Sequence, residues 1–117
     1  MSDAWRKPFE NALEDDPSNQ HVRRDLADHL SEVGDPDAEP VRWMAERGVW
    51  PRLMPAYRGG PLRWRFPDAS QADGLPWPVW DRLAASVFGW PTRRAAERGL
   101  CRAYRWARAA GWDPASM

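Results

Sequence analysis

Isoleucine is absent from these 117 residues, lysine occurs once, at Lys7, and cysteine once, at Cys101. Only 17 residues are Leu, Val or Phe, fewer than the roughly 20 % share below which chains tend to disorder. Net charge is missing as well, with 17 basic side chains against 17 acidic ones. Disorder needs high net charge together with low hydrophobicity, so the second half of that signature fails. Aromatic residues fill the gap: nine Trp, three Phe and two Tyr, each able to bury about 150–250 Å². A core is therefore within reach, and the length fits one domain of modest size.

The other absences exclude whole classes. One cysteine makes no internal disulfide, and the cytosol is the compartment this implies. No window approaches the roughly 18 uninterrupted apolar residues of a membrane span. The N-terminal Met1-Ser2-Asp3-Ala4-Trp5-Arg6-Lys7 leads into an acidic segment, so it reads as no secretory leader. Sixteen Arg against one Lys reads as a GC-rich coding bias before it reads as arginine chemistry.

Neutrality conceals an asymmetry. Residues 1–40 carry eleven acids against four bases, a net −7, and residues 41–117 carry thirteen bases against six acids, a net +7. Such a split implies halves that pack on each other, or halves that each face a partner of opposite sign.

The expected architecture is mainly α: a small helical domain with a turn-rich, hairpin-containing middle. A first helix is predicted from about Pro8 to Asp15, with Phe9, Ala12 and Leu13 on one apolar face. Ser18 or Asn19 caps a second helix to about Val33, whose stripe is Val22, Leu26, Leu30 and Val33. Gly34 stops it. Asp35-Pro36 starts a third helix towards Arg47, regular only beyond Pro40, which lacks a backbone donor. Val41, Met44 and Ala45 are its apolar residues, and Gly48 ends it. Residues 49–78 are too proline-dense for a long helix. Within them Leu62–Phe66 alternates as a strand with one apolar and one basic face, paired with Leu53–Tyr57 across Gly59-Gly60. Pro78 opens a helix through Phe88, with Trp80, Leu83, Ala84, Val87 and Phe88 inward and Gly89 as its stop. Thr92 caps the last helix, which runs to Ala110 and ends at Gly111. Ala96, Leu100, Ala103, Tyr104, Ala107 and Ala110 form its apolar side, and Arg94, Arg98, Arg102, Arg105 and Arg108 the opposite one. The domain division is an acidic segment 1–48 and a Trp- and Arg-rich segment 49–117, within one structural domain.

Residues 9–44 carry a pattern: Phe9, Ala12-Leu13, Pro17, Arg23, Leu26-Ala27-Asp28-His29-Leu30, Gly34-Asp35-Pro36, Ala38-Glu39 and Val41-Arg42. It resembles, without a gap, the bacterial repeat-companion domain pattern F-L-x-A-I-x-x-x-P-D-D-D-x-x-R-L-V-Y-A-D-W-L-E-E-x-G-D-P-x-A-E-F-I-R. The family's three acids after the proline are Ser18-Asn19-Gln20 here, its Trp is His29, and its Phe after Ala-Glu is Pro40. The resemblance implies a helical module with an accessory or interaction role, and it transfers no catalytic residue and no cofactor.

Chemistry-bearing constellations are few. His21, Asp25 and His29 share a helix face at one-turn spacing, but no fourth ligand lies near them in sequence, and a solvated face is the simpler reading. Cys101 lies among arginines yet has only His21 and His29, in the acidic half, as sequence-level bases, which favours a structural thiol. No nucleophile elbow or phosphate loop is present. No catalytic residue, metal site or cofactor is therefore expected. The strongest candidate surface is the stripe Arg94, Arg98, Arg102, Arg105 and Arg108, with Trp106 beside it and Arg63, Trp64 and Arg65 on the hairpin. Three readings stay open for it: a solvated face or one docked on the protein's own acidic helices, a site for an acidic protein partner, or a phosphate-backbone site with aromatics that stack on bases. The expectation is a non-catalytic interaction module of a larger assembly, with a nucleic-acid-associated accessory protein as the alternative.

Overall fold

Two of the helices begin where a short polar side chain, Asn19 or Thr92, holds an otherwise unpaired backbone N–H. The computed structural model describes residues 4–55, 57–67, 75–83 and 89–116. It is mainly helical: α1 (Lys7–Asp15), α2 (Gln20–Glu32), α3 (Ala38–Arg47), the strands β1 (Arg52–Pro55) and β2 (Leu62–Arg65), then α4 (Trp77–Arg82) and α5 (Arg93–Ala109). Short 3₁₀ turns at Ala4–Arg6 and Pro114–Ser116 flank them. The chain divides into two compact units, Met1–Trp50 and Pro51–Met117.

In the first unit α2 packs chiefly on α3 and more lightly on α1. Asn19 caps α2, its side chain accepting from the Val22 N–H at 3.2 Å. The core is Leu13, Leu26, Ala27, Leu30, Val41, Trp43, Met44, Ala45 and Val49. Val33 is a correction: it is 60 % exposed, because α2 ends at Glu32 and the chain turns away before Val33 completes the stripe. Arg23 and Ala27, which the apolar stripe does not include, are both fully buried. Arg23 donates to the Pro17 carbonyl and to Gln20 Oε1, each at 2.8 Å.

Pro40 is a second correction. It is buried in the first turn of a helix already regular at Ala38. The first intrahelical donor is the Val41 N–H, bonded to the Asp37 carbonyl at 3.1 Å, so Pro40 removes a donor that had no acceptor. The helix start itself lies at Ala38, three residues beyond Asp35, whose carboxylate instead accepts from the Asp37 N–H at 2.8 Å.

In the second unit β1 and β2 form an antiparallel hairpin, with Arg52 opposite Arg65, Leu53 opposite Trp64, Met54 opposite Arg63 and Pro55 opposite Leu62. The strands are shorter than the alternation predicts. Phe66 leaves the ladder to be buried, and Tyr57 lies in the turn beyond β1. Trp90 adds one bridge on the far side of β2, exchanging two 2.9 Å backbone hydrogen bonds with Trp64. Gly89 makes this approach possible: its φ is +83°, and a Cβ there would meet the Trp64 carbonyl oxygen at 2.7 Å, closer than side chains tolerate. α4 packs on α5, and Val79 within α4 and Leu75 and Leu83 on either side of it are buried. It covers Trp77–Arg82, with Trp80 half-buried; the expected inward residues Ala84, Val87 and Phe88 lie outside the described residues.

Thr92 caps α5, its hydroxyl accepting from the Ala95 N–H at 3.0 Å. At the other end Gly111, with φ +104°, reverses the chain. Its N–H bonds Arg108, and the Trp112 N–H bonds Ala107 at 2.9 Å, the paired arrangement of a Schellman stop. This brings the Trp112 indole edge-on to Tyr104 at 5.2 Å. Ala110, expected on the apolar side, is exposed at this stop.

Candidate basic interaction surface

α5 owes its basic outer face to the way its charges are sorted. Its single acid, Glu97, is buried and paired with buried Arg93 one turn earlier. The other buried residues of α5 are Ala96, Leu100, Cys101, Ala103, Tyr104 and Ala107. Periodicity alone misses the pair, because two charged residues were assigned no place inside; the signal that finds it is the i, i+4 spacing of opposite charges. With Glu97 turned inward, the outer face keeps only cations.

Arg98, Arg102 and Arg105 are exposed on that face, and Arg108 is exposed near the last turn. Among the described residues, Arg98 and Arg102 make no ion pair or side-chain hydrogen bond. Arg94 departs from the expected stripe: it is half-buried and its Nε is shielded from solvent, since it lies at the edge of the side that faces the core. Trp106, one turn beyond Arg102, is 59 % exposed. Arg98, Arg102 and Trp106 thus form a row at i, i+4 and i+8, with Arg105 beside it.

The hairpin has the apolar face and the basic face that the alternation predicts. Neighbouring strand residues point to opposite faces, so Trp64 lies with Leu53, Pro55 and Leu62, while Arg63 and Arg65 lie with Arg52 and Met54. An indole interleaved between two guanidinium groups on one face is therefore not formed. Arg63, Trp64 and Arg65 are all half-buried. Arg65 also donates to the Pro55 carbonyl at 3.0 Å, and its stem and the Arg63 Cβ run close beside Gly89. The more open face of the hairpin is the apolar one, where Leu62 is 59 % exposed.

Trp90 lies against α5 at Gly99, where a Cβ would meet its indole Cζ2 at 2.5 Å. Its ring also takes an edge contact from buried Phe66 at 6.2 Å. A cleft of about 340 Å³ opens between α4 and the end of α5, lined by Pro78, Asp81, Arg82, Ala107, Ala110 and Trp112. Trp77, at the start of α4, is 66 % exposed.

The histidines are spread apart in role. His21 faces Asp25 at 3.9 Å and His29 faces Glu32 at 3.6 Å. The His29 ring stacks on Trp5 and leans on Phe9, with centroids 5.9 and 5.1 Å apart. Asp25 is thus turned to one histidine only, and no group of three potential metal ligands occurs among the described residues. Cys101 is a buried thiol on the inner side of α5. No described helix is long and apolar enough to cross a membrane.

The chain matches no protein-family model, no curated protein and no solved structure.

Proposed function

We propose that this protein is a non-catalytic interaction module, and that the outer face of α5 binds an acidic surface on a protein partner in a larger assembly. One observation carries the reading: Arg98, Arg102 and Trp106 stand in a single exposed row on a helix whose only acid is buried. An indole flanked by guanidinium groups is the composition of interface hot spots. Positive potential along the row steers an acidic partner and sets register.

The residues that carry the resemblance to the repeat-companion domain support an architectural role for the first unit. Leu26, Ala27 and Leu30 are core, and Arg23 is buried under the α1–α2 turn. Asp28 pairs with Arg42 at 2.9 Å between α2 and α3, and Asp35 holds the entry to α3. With these positions occupied by structure, membership of that family is part of the proposal, and it leaves the second unit as the part that confers specificity. The proposed setting is the cytosol, in keeping with a lone buried thiol.

Co-purification from the native host tests this reading. A stoichiometric protein partner is expected, lost when Arg98→Glu, Arg102→Glu and Trp106→Ala are combined. A salt-dependent band shift with generic DNA or RNA, abolished by Arg98→Glu with Arg102→Glu, would instead assign the face to phosphate backbones.

A further inference from the structure

The first unit holds twelve acids and six bases, and the second eleven bases and five acids. Each unit therefore carries a net charge of six, negative in the first and positive in the second. On α2 the outward side chains Asp25, Asp28 and Glu32 are exposed and spaced by three and then four residues. On α5 the exposed Arg98, Arg102 and Arg105 are spaced by four and then three. Read in opposite directions, the two rows have the same spacing, each covering about 10.5 Å of helix axis.

We infer that the acidic row of α2 is a docking site for the basic row of α5 from a second copy of this chain, with the two helices antiparallel. The alignment sets Arg105 at the level of Asp25, Arg102 at Asp28 and Arg98 at Glu32, with Trp106 flanking the contact. This rests on the reading of α5 above and names a partner for it. Neighbours already on the acidic row leave room. Arg42 holds one oxygen of Asp28 at 2.9 Å, and among the described residues no hydrogen bond or ion pair engages the other. His21 and His29 stand 3.9 and 3.6 Å from Asp25 and Glu32. Arg24 is the exposed cation on the same helix, and the row remains acidic in balance. Zero net charge removes the long-range repulsion that keeps copies apart. A contact of two helical turns is small, so the association belongs to the weak, reversible class.

Sedimentation equilibrium of the full chain tests the inference. In about 50 mM NaCl the weight-average mass rises with concentration, and in about 500 mM the association constant falls at least about tenfold. The variant Arg98→Glu with Arg102→Glu, and separately Asp25→Lys with Glu32→Lys, each sediments as a monomer. An equimolar mixture of the two regains association, because each reversed row then faces its complement. Circular dichroism and melting temperature check that both variants remain folded. A monomer at every concentration in low salt overturns the inference, as does a mixture that stays monomeric. A poly-glutamate peptide separates this failure from failure of the broader reading. If the wild-type chain binds it through Arg98 and Arg102 but does not self-associate, the second copy is wrong and the basic face stands. If it does neither, both fall.

Discussion

A buried charge that has a partner behaves quite differently from one whose partner is removed, and α5 contains both halves of that contrast in one pair. Arg93 and Glu97 are both shielded from water. Truncation by Glu97→Ala leaves a buried guanidinium without its counter-ion and is expected to lower stability by about 3–5 kcal/mol. Arg93→Met combined with Glu97→Leu replaces the pair with apolar volume and should lie close to wild type. Urea unfolding of the two variants checks this; equal losses would show that the pair matters for packing and not for charge compensation. Gly99 offers a second contrast. Helix propensity alone predicts that Gly99→Ala stabilises by about 1 kcal/mol. The Trp90 indole, 2.5 Å from the position of the new Cβ, reverses the sign: overpacking costs about 1–3 kcal/mol. The expected result is a net loss of stability with a red shift of Trp90 emission, read against a Trp90→Phe control.

Helix ends were the most readable elements, because capping is local chemistry. Asn19 and Thr92 both accept from the N–H three residues on, and each Asn19→Ala or Thr92→Ala substitution is expected to cost about 1 kcal/mol in thermal or denaturant unfolding. Asp28→Asn, by contrast, breaks an exposed pair and should stay within about 1 kcal/mol of wild type. Where local chemistry competed with a second effect, the reading failed. Proline in the first turn of α3 looked disruptive until the first required donor proved to be Val41. Val33 fitted the apolar stripe by spacing, but the chain left the helix before it. In the hairpin the period-two alternation was legible, and the pleat keeps Trp64 on the face opposite Arg63 and Arg65.

Two units of opposite charge in one neutral chain have a bulk consequence. At low ionic strength the basic face of α5 and the acidic face of α2 are drawn together across copies, while no net charge opposes the approach. Solubility should therefore pass through a minimum near neutral pH at about 20 mM salt and recover as salt screens the attraction within about 10 Å. Precipitation assays across pH and NaCl measure this directly. Charge reversal by Arg98→Glu with Arg102→Glu should raise solubility at neutral pH, since it adds net charge and removes one of the two attracting faces.

The sequence by itself determined the mainly helical class, the Asn19 and Thr92 caps, the glycine stops at Gly34, Gly48 and Gly111, the hairpin and its turn, and the charge division between the two ends of the chain. These depend on side chains a few residues apart, so composition and spacing suffice. The inner and outer sides of α5 were only partly legible: the arginine periodicity was visible, but Arg93 and Glu97 in the core and Arg94 at its edge were not. Burial of a charge depends on which neighbours enclose it, and those neighbours come from distant parts of the chain. The same holds for Trp90 against Gly99 and for His29 on Trp5 and Phe9. Tertiary structure alone decided which of sixteen arginines face water, because a wheel gives a direction while packing decides what lies in that direction.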